Sequence, residues 1–110
     1  MSALNTAGQE RQYAVPEPVR KVCDLFRLLA GYEVNGLAPG EIAKALGVGA
    51  PWVSVNLPGL AELGFVERVG ETNRWRLGVA FLRIATTVLT ANGQAKDQLA
   101  ERLARITTPL

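Results

Sequence analysis

A chain of 110 residues, 48% of them apolar, suffices for one modest hydrophobic core and leaves little material for a second independent domain. Twelve Lys and Arg against ten Asp and Glu leave a net charge of +2, so overall charge attracts nucleic acid only weakly and the placement of the cations has to decide. With no histidine and a single cysteine, the chain lacks the residues for an imidazole metal site, a His-based catalytic triad or an internal disulfide, and no catalytic residue, metal ligand or cofactor is assigned.

The opening "MSALNTAGQERQYAVPEP" has no sustained period and closes with two prolines, so residues 1–16 read as a mobile arm. "PVRKVCDLFRLLAGY" then sets Val19, Val22, Phe26 and Leu29 at spacings of three and four, with Pro18 suited to a first helical turn and Gly31 to a stop. Cys23, between Val22 and Leu25, reads as a small buried hydrophobe. Asn35-Gly36 turns the chain, and "PGEIAKALG" gives a short second helix from Pro39 to Gly47 with Ile42 and Leu46 on one face. A third helix follows at once, with Val53, Leu57, Leu60 and Leu63 in a stripe that Gly64 ends.

"FVERV" and "RWRL" are rich in β-formers and flank "GETN", which predicts a hairpin. From Leu77 onward Phe81, Ile84, Ala85 and Val88 repeat helically, and beyond Asn92-Gly93 so do Ala95, Leu99, Leu103 and Ile106. The order α-α-α-β-β-α-α is mainly α with a small β-hairpin. It predicts a winged helix-turn-helix, whose third helix lies in the major groove and whose hairpin reaches a phosphate backbone. The division is an arm over 1–16, a DNA-binding domain over 17–78 and a helical extension over 79–110. No apolar run approaches ~18 residues and the first residues lack a signal-peptide pattern, so no membrane partner is expected. A reducing bacterial cytoplasm follows by default, whether the gene is cellular or phage-borne.

The stretches "EIAKALGV", "LAELGFVER" and "RWRLG" resemble the DNA-binding module of IclR-type transcriptional regulators, from about Val19 to Leu89. The resemblance implies that Glu41 to Leu46 belong to the positioning helix, Ala50 to Leu63 to the recognition helix and Phe65 to Leu77 to the wing. It also implies a linker helix leading to an effector-binding domain. The linker-like stretch is present but the sequence ends at Leu110, so neither a ligand-sensing domain nor a small-molecule effector is expected. The matching turns in such regulators usually carry a Ser or Thr cap and basic or amide groups, where this chain has Pro51, Trp52, Ser54 and Val55.

If Val53, Leu57 and Leu60 face the core, a step of about 100° per residue turns Pro51, Ser54, Val55 and Pro58 toward the groove. Base-reading candidates are Ala50, Ser54, Val55 and Asn56, which offer one hydroxyl, one amide and methyl groups. Pro58 in mid-helix removes a backbone hydrogen bond at a cost of roughly 3 kcal/mol, which predicts either a kink near Asn56 or a break before "LAELG". Trp52 either packs beneath the helix start or lies on a sugar-phosphate edge.

Phosphate-contact candidates are Arg20, Lys21, Lys44, Trp52, Arg68, Arg74 and Arg76. The i,i+2 spacing puts Arg74 and Arg76 on one strand face and Trp75 and Leu77 on the other. The competing reading pairs these cations locally with Glu17, Glu67 or Glu71, and Glu62 would repel DNA. The C-terminal helices carry more apolar surface than a three-helix core can cover. Phe81, Ile84 and Val88 close the core, while Leu82, Leu89, Leu99, Leu103 and Ile106 are candidates for dimerisation.

The function expected is sequence-specific binding of double-stranded DNA by a homodimeric transcriptional regulator. The alternative is a winged helix used for protein contact, with the cation-poor third helix as its docking surface.

Overall fold

Proline opens each of the first three helices: Pro18, Pro39 and Pro51 stand in first turns, where the missing N–H would have had no internal partner. The computed structural model describes residues 13–91 and 96–105. It contains α1 (Glu17–Ala30), α2 (Pro39–Leu46), α3 (Ala50–Glu62), β1 (Val66–Arg68), β2 (Trp75–Leu77), α4 (Val79–Ala91) and α5 (Lys96–Ala104). This is the order read from the sequence, and the architecture is a winged helix-turn-helix. The predicted arm lies almost wholly outside the described residues, as does Ile106.

The core is one cluster to which each element through β2 contributes. It comprises Leu25 and Leu29 of α1, Leu37, Ile42 of α2, Val53 and Leu57 of α3, Val66 of β1 and Trp75 of β2. A second cluster of three rings adjoins it. Phe26 meets Phe81 edge to face at 4.7 Å, Phe65 meets Phe81 at 5.2 Å, and Phe26 stacks with Phe65 at 5.9 Å, joining α1, the turn after α3 and the start of α4.

β1 and β2 pair antiparallel with Val66 opposite Leu77, Glu67 opposite Arg76 and Arg68 opposite Trp75. The turn between them closes through Val69 N–H to the Arg74 carbonyl at 2.8 Å. A bridge absent from the sequence reading adds Leu37 to the hairpin: its N–H donates to the Trp75 carbonyl at 2.9 Å and its carbonyl accepts from Trp75 N–H at 2.8 Å. Gly36 allows that approach. Its φ is +67°, and a Cβ there would lie 2.5 Å from the Trp75 carbonyl oxygen.

The helix boundaries follow local chemistry. α2 starts with Ala38 N–H donating to Glu41 Oε1 at 2.8 Å; Ala38 has no side-chain oxygen with which to return the bond. It ends at Gly47, whose left-handed φ of 68° closes the helix-turn-helix. α1 ends at Gly31 in the right-handed region. α3 runs through Pro58 from Ala50 to Glu62, so the predicted break before "LAELG" does not occur.

Four expectations about burial need correction. Cys23 is exposed, because α1 buries the Leu25–Leu29 line and turns Cys23 outward. Val19 is exposed for the same reason, one turn before the packed part of α1 begins. Leu63 is 67% exposed, since it caps α3 where the chain turns into Gly64. Ile84 and Val88 do not close the core: of the residues expected to do so only Phe81 reaches the packed rings, and α4 has no buried residue.

Candidate nucleic-acid interface

α3 is held by Val53 and Leu57, so its opposite side stands free. Ala50, Pro51, Ser54, Val55 and Pro58 are all exposed, Val55 at 71%. This is the face that the 100° step assigned to the groove. It borders an open groove of about 530 Å³ whose walls are the start of α2 (Pro39, Gly40), α3 and the wing residues Arg68, Asn73 and Trp75. A helix presented beside a hairpin across such a groove has the layout with which winged helices straddle a duplex.

Two polar side chains of α3 lie close to backbone carbonyls of their own helix. Ser54 Oγ donates to the Pro51 carbonyl at 3.2 Å, and Asn56 Nδ2 donates to the Trp52 carbonyl at 2.8 Å. Asn56 is half-buried. Trp52 is half-buried as well and packs against the core, beside a shallow groove lined by Glu17, Pro18, Lys21, Val48 and Gly49.

The candidate phosphate contacts differ in how far they are committed within the chain. Lys44 is exposed on α2 and has no ion-pair partner among the described residues. Arg68 is exposed with its guanidinium 5.0 Å from the Trp75 ring centroid, a cation–π contact that leaves the outer N–H groups available. Arg20 lies 3.6 Å from Glu17. Lys21 Nζ donates to the Leu46 carbonyl at 2.9 Å, tying α1 to the C-terminal end of α2, and stands 3.8 Å from Glu17. Arg76 Nε is bonded to Glu67 Oε2 at 2.8 Å across the hairpin.

Arg74 is the most committed. Its Nε donates to the Asn35 carbonyl at 2.9 Å, its Nη2 to the Gly36 carbonyl at 3.0 Å, and Nη2 lies 3.3 Å from Glu41 Oε1. The wing is thereby fastened to the α1–α2 turn. Arg74 and Arg76 share a strand face, whereas Arg68 belongs to the Trp75 face.

Sequence reasoning missed the Arg74 clasp and the Arg68–Trp75 stack. The hairpin register held a signal for the stack, since a four-residue "GETN" connection sets Arg68 opposite Trp75. Nothing local announces that Arg74 meets Asn35 and Gly36, because that contact depends on the tertiary fold.

α4 is the other open surface. Val79, Leu82, Ile84 and Leu89 are exposed, and at about 100° per residue they spread over most of the helix circumference. Leu103 of α5 is also exposed. No helix among the described residues is long and apolar enough to cross a membrane.

No protein-family model matches the chain, and no curated protein matches it in sequence. Among solved structures it is similar to an IclR family transcriptional regulator from Brucella abortus. The TM-score is 0.58 at 22% identity, over 78% of this chain and 32% of that one. The chain thus spans 32% of the regulator's length, and at this identity the similarity is one of fold.

Proposed function

We propose that this chain binds double-stranded DNA in a sequence-specific manner as part of a transcriptional regulator, with α3 in the major groove and the wing on the adjacent backbone. One observation carries the reading: the exposed side of α3 and the wing flank a single groove, with Arg68 and Asn73 on its wall. Lys44 and Arg68 are the cations best placed to reach phosphate, and the positive end of the α3 dipole favours phosphate near Ala50. The fold shared with the IclR family regulator supports the same reading. Residues 17–78 form the DNA-binding unit.

The chain acts as a homodimer through its extension, residues 79–110. α4 exposes Leu82 at 60% and Leu89 at 54%, and a helix so apolar over so wide an arc is stable in water when another surface covers it. Two copies on neighbouring half-sites add their contacts through effective concentration, which compensates for a recognition helix without cations.

A second reading is favoured by one observation, that α3 carries no cation while Arg74 and Arg76 are occupied within the chain. On it, the apolar side of α3 docks a protein. Salt titration of duplex binding separates the two: a regulator loses affinity steeply as salt rises, and a docking module ignores duplex at every salt concentration.

A further inference from the structure

The hydrogen bonds within α3 determine what its open face offers a base pair. Ser54 Oγ lies 3.2 Å from the Pro51 carbonyl oxygen at the exposed surface of α3. The Asn56 amide is drawn to the Trp52 carbonyl on the half-buried side of the helix. Ala50, Pro51, Val55 and Pro58 present carbon, and the two prolines also lack the backbone N–H. The exposed face therefore combines one hydroxyl with a run of methyl and methylene groups and no cation. Glu62, exposed at the C-terminal end of α3, is a carboxylate that keeps that end away from phosphate and leaves the Ala50–Val55 turn as the part that goes deepest.

In the major groove every base pair shows two acceptors and one amino donor, and an A·T pair alone adds a methyl group, on thymine. Resting on the DNA-binding reading, we infer that α3 selects A·T pairs by covering a thymine methyl with Val55, while Ser54 hydrogen-bonds the neighbouring base edge without choosing between pairs. Against a G·C pair the same carbon face finds no methyl to cover. Arg68 and Asn73, which line the same groove, stand on the wing and not on α3. The sequence preference is thus set by the carbon surface around Val55.

The test uses the full chain and a random duplex library, followed by single-base replacement in the enriched site. An A·T core is expected beneath α3. Replacing its thymine with uracil, which removes only the methyl group, should weaken binding about fourfold, the equivalent of ~0.8 kcal/mol for one buried methyl. In Val55→Ala the thymine-to-uracil ratio should fall close to one, while Arg68→Ala should weaken all duplexes and keep the ratio. Guanine enriched beneath α3, or equal affinity for thymine and uracil sites in a protein that binds duplex, overturns the inference and leaves DNA binding intact. Failure to bind any duplex removes the DNA-binding reading and this inference with it.

Discussion

Arg74 of the wing and Glu41 at the start of α2 meet at 3.3 Å, and the same carboxylate oxygen accepts from Ala38 N–H at 2.8 Å. One acidic side chain thus starts a helix and holds a strand. With the carbonyls of Asn35 and Gly36 also on the Arg74 guanidinium, the hairpin is locked to the turn that precedes α2. The wing's position relative to α3 follows from that lock.

Arg74→Ala should lower unfolding free energy by about 1–2 kcal/mol, the scale of hydrogen bonds to a charged group at a partly exposed site. Arg74→Lys should recover only part of the loss, because an ammonium cannot fork two carbonyls. Urea denaturation of the two variants measures this. Their salt slope for duplex should match the parent's, because this guanidinium is already held by the Asn35 and Gly36 carbonyls and Glu41.

Arg68 and Lys44 should behave oppositely. Each alanine variant should keep parental stability within about 0.5 kcal/mol. Each should also reduce the slope of log K against log salt by roughly 0.9, one phosphate contact each. Fluorescence anisotropy on one duplex at several salt concentrations gives both slopes, and unchanged slopes would remove these residues from the interface.

The core boundary within α3 can be read from two leucines. Leu57→Ala should cost about 2–5 kcal/mol, as expected for a fully packed leucine. Leu63→Ala should stay within about 0.5 kcal/mol despite its place in the same apolar stripe. Equal losses in thermal or urea unfolding would contradict the burial difference.

That pair also marks how far the sequence could be read. Proline and glycine punctuation placed the helix-turn-helix and the hairpin, since Pro39, Gly47 and Pro51 act through local geometry. The packing of Val53 and Leu57 was legible because a helix in contact along its length obeys its own period. Leu63, Ile84 and Val88 were not, since periodicity reports which residues share a face and says nothing of whether a partner covers it. The open face of α3 was legible for the same reason that its core face was. The Leu37–Trp75 bridge and the Arg74 clasp were out of reach, because each joins segments nearly forty residues apart.

Self-association tests the extension. The full chain should sediment as a dimer at micromolar concentration, and Leu82→Lys with Leu89→Lys should leave a folded monomer with unchanged circular dichroism. A monomeric parent chain would sink the proposed dimer.

Sequence-specific recognition of duplex DNA is tested most directly by selection from a random duplex library with the purified chain, with binding to the enriched site followed as salt rises. The expected result is one enriched motif, bound far more tightly than scrambled duplex, with log K falling linearly in log salt. A pool no different from the input, with no salt-dependent retention of any duplex, would contradict it.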